Sequence, residues 1–175
     1  MDFASVYEGA AHDDLVRFAQ YCQALAGDRP MPLRRQFRPG DVRWLLGRLY
    51  VVDVIDAGKD FHFRVAGLLM KEIYGVDFEG RRLSEFPETG LSKALRANYD
   101  RIMQTKAALF QRAALCWPEH QINLQRLLVP FAGDDGALCS IVVGVHVDVP
   151  LESVVIFRGE GPGAFQPSES PSAAP

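Results

Sequence analysis

Between Leu138 and Val147 the side chains Cys139, Ile141, Val143, Val145 and Val147 recur at every second position. Successive side chains of an extended chain point to opposite faces, so these five line one face of a β-strand. A strand with so continuous an apolar face needs strand neighbours and a covering layer. This stretch therefore commits the chain to a sheet with something packed on it.

The neighbours can be read on either side. Gly133-Asp134-Asp135-Gly136 has the composition of a hairpin loop and links that strand to a preceding one over Gln121 to Phe131, with Pro130 near its end. Ala107 to Trp117 is a third, more weakly patterned strand. Upstream, Leu49 to Asp56 and Asp60 to Val65 form a hairpin around Ala57-Gly58-Lys59, and strict alternation puts Phe61, Phe63 and Val65 on one face. Between the two strand blocks, Gly67 to Phe86 carries Leu68, Leu69, Met70, Ile73 and Tyr74 broken by Gly75, Gly80 and Pro87, which suits short helical turns. Leu91, Leu95, Tyr99, Ile102 and Met103 then mark an amphipathic helix ending near Thr105.

The N-terminal part carries one more helix. Leu15, Phe18, Ala19, Cys22, Leu25 and Ala26 keep the 3.6-residue period, Asp13 and Asp14 complement the positive helix start, and Gly27 is a natural stop. Its apolar stripe requires a partner, either the domain's own core or a second copy of the helix. A Pro- and Arg-rich connector, Arg29 to Arg35, follows, and one or two helical turns carry Val42, Leu45 and Leu46. The stretch beyond Gly159 is Gly, Pro, Ser and Ala with few apolar side chains, and reads as a disordered tail. The organisation expected is an N-terminal helical extension over 1–28, an α+β domain over 29–150, and an extension over 151–175 disordered from about 159. The domain is expected to be a five-stranded antiparallel sheet with short helices over one face.

Charge and cysteine usage exclude several classes. A formal net charge of −3 across 175 residues argues against a general binder of nucleic acid. Cys22, Cys116 and Cys139 are odd in number and widely spaced, which fits small reduced thiols rather than a disulfide framework or zinc site. The N-terminus holds Asp2, Glu8, Asp13 and Asp14 with no apolar run, so no signal peptide and no membrane insertion are expected, and the cytoplasm is the expected compartment. No GxSxG, HExxH, Walker A or GxGxxG motif is present, so no enzyme activity is expected.

Several runs together resemble a PAS-type domain family common in alphaproteobacteria. They are Pro32-Leu33-Arg34-Arg35-Gln36-Phe37-Arg38-Pro39, Leu45-Leu46-Gly47-Arg48-Leu49-Tyr50-Val51-Val52-Asp53-Val54, Phe63-Arg64-Val65-Ala66-Gly67, Tyr74-Gly75-Val76-Asp77-Phe78-Glu79-Gly80-Arg81-Arg82-Leu83 and Arg126-Leu127-Leu128-Val129-Pro130-Phe131, with Gly144 taken as the end of the last core strand. The resemblance spans roughly residues 12 to 149. It implies the PAS fold and a role in signal sensing or protein interaction, and it carries no catalytic residue. Arg81 and Arg82 read as holding the helical insert by bonds to carbonyl groups, with an anionic ligand as the alternative.

Three functional expectations follow. A helical insert crossing one sheet face leaves an apolar space beneath it, with Phe63, Val65, Met70, Tyr74, Tyr99, Ile102, Leu128, Ile141 and Val143 as candidate lining. A small, mostly apolar ligand could occupy that space, or the same residues could form a filled core. The N-terminal stripe of Leu15, Phe18, Cys22 and Leu25 is the candidate interaction surface, through which a homodimer or a signalling partner would dock. Cofactor identity is left open. His12, His62, His120 and His146 all lie outside the insert, which argues against haem, and no Asn-Cys-Arg motif stands there for a covalent flavin, although non-covalent flavin remains open. The six arginines between Arg29 and Arg48 face only Asp28 and Asp41, and read as a solvated connector or as a docking surface for an acidic partner or phosphate-bearing ligand.

Overall fold

The computed structural model describes residues 1–8, 11–116, 121–148 and 164–168. Helices α1 (Ala4–Glu8) and α2 (Asp13–Ala26) come first, followed by strands β1 (Leu49–Ile55) and β2 (Asp60–Ala66). Helices α3 (Leu68–Tyr74) and α4 (Gly90–Thr105) form the insert, and β3 (Leu109–Cys116), β4 (Gln121–Ala132) and β5 (Leu138–Val147) complete the core sheet. A last strand, β6 (Ala164–Ser168), is added at the edge. The antiparallel order is β2-β1-β5-β4-β3-β6. The last core strand, β5, thus pairs with the first, β1, and joins the two strand blocks at the centre.

The five core strands match the sheet expected from sequence, and β6 corrects the reading of the tail. Ala164 to Ser168 pair with Cys116 to Arg112 along the free edge of β3. Apolar composition did not signal this, because an edge strand needs only backbone groups facing an unpaired edge. Pro167 is compatible with it, since an edge strand tolerates a missing donor.

Two layers cover the sheet, one on each face. The front layer is α3 and α4. Phe61, Phe63, Leu69, Tyr99, Ile102, Ile141 and Val143 are buried between them and the strands. The back layer is α1, α2 and the 3-10 turns at Arg34–Gln36 and Pro39–Leu45, which bury Leu15, Phe18, Cys22, Leu45, Val51, Leu127, Phe131 and Val142. Burying large side chains on both faces contributes about 1.5–3 kcal/mol per fully covered residue.

The helix α2 stripe therefore finds its partner in the domain's own sheet. Leu15, Phe18, Ala19 and Cys22 are fully covered there, and Leu25 is partly buried against the same cluster. Leu15, Phe18 and Cys22 are consequently not surface groups, and the expectation that they form a docking stripe is corrected: a face that satisfies its apolar area within the chain has none left to offer. Gly144 allows the close seating. It lies inside β5 rather than at its end, and a Cβ there would stand 3.0 Å from Phe18, 3.1 Å from Leu45 and 3.4 Å from Leu15. His12 caps the helix, its Nδ1 accepting from the Asp14 amide at 3.2 Å.

One register shift changes a face assignment. Val51 pairs with Val65 and Val52 with Phe63, so Arg64 is bulged out. The bulge turns Val65 from the face of Phe61 and Phe63 to the back, where it packs against the α2 cluster. Strict alternation misplaces it for that reason.

The insert is anchored at both ends. The Gly67 amide donates to the Leu49 carbonyl, and that of Leu69 to Gly47. A side chain at Gly67 would meet the Gly47 carbonyl oxygen at 2.5 Å, so this crossing requires glycine. Further along, Gly80 and Arg81 exchange backbone bonds with Phe63. Arg81 also donates to the Glu85 carbonyl at 3.2 Å and lies over the Phe86 ring, which is the structural role read for it. Thr89 and Ser92 form a capping box that starts α4.

Candidate functional site

Between the insert and the front face lies a small cavity whose walls follow from the periodicities of three elements. Helix α4 presents Leu91, Leu95 and Tyr99, spaced four residues apart and so stacked on one helix face. Helix α3 adds Leu69, Met70, Ile73 and Tyr74. The sheet supplies Tyr50 from β1, the alternating Leu124, Arg126 and Leu128 from β4, and Val143 and Val145 from β5. The free space is about 20 Å³, room for about one water molecule. In this conformation the site is closed.

Of the expected lining residues, Met70, Tyr74, Tyr99, Leu128 and Val143 face the cavity. Phe63, Ile102 and Ile141 belong to the same apolar layer, as filled core beside it. Val65 is on the opposite face. The sequence reading missed Arg126 and Tyr50, although a signal existed for both. Arg126 occupies the inward phase between Leu124 and Leu128, and Tyr50 shares its phase with Val52.

The polar groups give the cavity its character. Among the described residues, Tyr50, Tyr74, Tyr99 and Arg126 are the polar side chains of an otherwise apolar lining. Arg126 is only 6% exposed. Its Nη2 donates to Gln111 Oε1 at 2.9 Å, and Gln111 Nε2 donates to Asn98 Oδ1 at 2.7 Å. Gln111 is the cross-strand partner of Arg126, and Asn98 is a buried residue of α4. This chain ties the guanidinium to the covering helix and fixes its orientation.

Burial also sets the protonation states. It pushes the Tyr74 hydroxyl up to about 12, with the Arg126 charge pulling it back in part. Burial raises Tyr50 and Tyr99 further. It lowers Arg126, which the neighbouring tyrosines oppose. Phenols shifted in this direction stay protonated near neutral pH, and an arginine stays charged. The cavity can therefore donate hydrogen bonds, but these four groups hold no base poised to take a proton.

A second polar cluster sits behind the sheet. His12 and His146 stack with ring centroids 3.5 Å apart and planes within 8°. Asp14 lies beside them, and the ligand atoms of all three fall within 4.8 Å of one another. Arg48 already bonds Asp14 Oδ2 at 2.9 Å and faces His146 Nδ1 at 3.4 Å. Lone pairs of parallel rings run side by side instead of converging on one point, and a guanidinium holds the carboxylate. The cluster thus fastens the start of α2 to β5 and is poorly arranged for a metal ion. Other arginines of the same segment are also engaged within the chain: Arg29 bonds the Leu25 carbonyl, Arg35 pairs with Asp134 and Arg43 bonds the Gly40 carbonyl. His62 lies 4.0 Å from Asp53, and His120 falls outside the described residues.

Burial raises the Cys22 thiol well above its ordinary value, and that of Cys139 to a lesser degree, which leaves both poor nucleophiles. Among the described residues no helix is long and apolar enough to cross a membrane. No curated protein matches the chain. A family model described as a PAS domain matches residues 10–146.

Proposed function

The chain belongs to the PAS domain family, and from that premise we propose that it is a sensor whose small, mostly apolar ligand enters between the sheet and the α3–α4 insert. PAS domains are signalling and sensory modules, so the question is what this one detects. The observation that carries the reading is the cavity itself, apolar on most sides with four polar side chains converging from two strands and two helices. A fully optimised core would have no use for a buried arginine there. The protonation states favour binding over catalysis.

The reading requires the insert to move, because about 20 Å³ cannot hold an organic molecule. It also supplies a route outward. Strand β5 carries Val143 and Val145 on the cavity side, and Val142 and Gly144 beneath α2. A ligand that displaces the front of β5 would alter how α2 seats on the back, and a partner protein touching α2 would read the change. A second copy of the chain could be that partner.

A specific observation favours a second reading, a ligand-free docking module. Leu46 and Leu68 are 56% and 58% exposed and flank the same backbone contact between Gly47 and Leu69. With the cavity nearly filled, such a domain would work through its surface. Native mass spectrometry of protein purified gently from a bacterial cytoplasm separates the two. The sensor reading expects an added mass that is lost on denaturation. A bare chain mass across preparations would move the assignment to the docking module.

A further inference from the structure

Resting on the reading that a partner protein touches α2, we infer that this partner presents an acidic segment, which docks along a row of arginines beside the helix.

The row is built by the connector between α2 and β1, whose contacts advance along the helix in reverse order. At the C-terminal end Arg29 Nη2 donates to the Leu25 carbonyl at 2.6 Å and to Gln36 Oε1 at 2.9 Å. Midway, the Arg38 amide donates to the Tyr21 hydroxyl at 3.4 Å. Toward the N-terminal end the Arg17 guanidinium lies 3.6 Å over the Trp44 ring, and Trp44 Nε1 donates to the Asp14 carbonyl. The connector therefore runs antiparallel to α2, and its arginines are spread beside the helix instead of gathered at one point. From Arg17 to Leu25 is about 12 Å of helix axis.

Arg17, Arg29, Arg38 and Arg43 are exposed, and Arg34 is half-buried. Neutral groups hold four of these charges: the rings of Trp44 and Phe37 for Arg17 and Arg34, and backbone carbonyls for Arg29 and Arg43. The Arg38 side chain has no hydrogen bond or ion pair among the described residues. The ion pairs of the connector belong to other arginines, Arg35 with Asp134 and Arg48 with Asp14. Asp41, the acid within the row, accepts from the Tyr21 hydroxyl, while Asp13 and Asp28 stand at the two ends of α2. The row is thus positive on a chain whose formal net charge is −3.

A guanidinium laid flat on an indole keeps its N–H edge turned to solvent, and its planar fork fits a carboxylate. Single exposed ion pairs contribute little, but a spaced row of them selects a partner with acids at matching positions. Leu46 is 56% exposed and its amide bonds the Arg43 carbonyl one turn back, so an apolar contact lies at the end of the row. A nucleic acid suits the surface less well. The rest of the chain is net negative and would repel a long polyanion, whereas a short acidic segment meets the row alone.

Fluorescence anisotropy on the full chain tests this with labelled decaglutamate, decalysine and a deoxythymidylate decamer. At low salt decaglutamate should bind and decalysine should not, and binding should weaken steeply toward about 0.15 M salt. Arg38→Glu should weaken decaglutamate at least about threefold, and that side chain holds nothing in the fold, so misfolding does not confuse the result. Arg17→Glu/Arg38→Glu/Arg43→Glu should weaken it at least about tenfold. Arg101→Glu makes the same charge change as Arg38→Glu on an exposed position of α4, in the opposite layer, and should weaken it far less. No binding of decaglutamate at low salt overturns the inference. Equal weakening by Arg38→Glu and Arg101→Glu also overturns it, because diffuse charge would then account for the binding. Tighter binding of the deoxythymidylate decamer than of decaglutamate overturns it in favour of a nucleic-acid partner. The cavity takes no part in these outcomes, and native mass spectrometry decides the sensor reading separately.

Discussion

The two faces of the sheet use the same strands to opposite ends. On the back, α2 settles so closely that Gly144 has no room for a methyl group, and the large side chains Phe18, Leu15, Leu45 and Phe131 are fully buried. On the front, α3 and α4 cover an arginine, three tyrosines and a small void. The back is packed as a core should be for stability. The front keeps polar groups that a stability-driven core would replace with aliphatic ones. On the sensor reading proposed above, the domain places the packing cost of a binding site on one face while the other holds the fold together.

The comparison can be broken most severely from the back. Phe18→Asp puts a carboxylate where no water reaches, and should cost at least about 4 kcal/mol; chemical denaturation should find the variant largely unfolded or with a greatly lowered midpoint. Near-wild-type stability would mean that α2 is not held by the sheet. Gly144→Ala comes next. Its new methyl meets Phe18 and Leu45 at 3.0 and 3.1 Å, and overpacking of this kind costs about 1–3 kcal/mol. On the front, Tyr99→Phe removes only a hydroxyl at the cavity wall and should change stability by less than about 1 kcal/mol. A larger loss would make that hydroxyl part of the structural core.

The smallest expected effect is a pH dependence at the back. Burial lowers the pKa of His146, and the His12 ring and the Arg48 cation lower it further, against the pull of Asp148 and Asp14. A group depressed in the folded state takes up its proton first in the unfolded chain. Stability from this residue is therefore complete above the ordinary imidazole value of about 6.5 and falls as pH drops through and below it. Thermal melts across that window should show a decline that is reduced in His146→Asn. An identical slope in the variant would assign the decline elsewhere.

The sequence made the sheet legible because period-two patterning is strong in β5 and clear in most of the β1–β2 hairpin, with β3 the weakest, and it made α2 and α4 legible because their apolar stripes run their full length. The exceptions have physical causes. The bulge at Arg64 shifts phase by one residue, and nothing in Phe61 to Val65 announces it. Strand β6 forms through backbone pairing that composition does not encode. Both candidate partners of α2 suited the same stripe, and only the seating of Phe18 over Gly144 decides between them. At the site, apolar residues were easy to nominate. Arg126 was overlooked because a charged residue is ordinarily assigned to the outside, yet its phase within Leu124 to Leu128 already pointed inward.

The central claim is that the front opens while the back holds, and native-state hydrogen exchange measures it directly. Amides of α3 should exchange through local openings far easier than global unfolding, and those of α2 and β5 only near the global limit. A molecule bound between the sheet and the insert should slow α3 most. Equal protection of α3 and α2, or faster exchange at α2, would contradict the account, because the insert would then have no independent motion by which a ligand could enter.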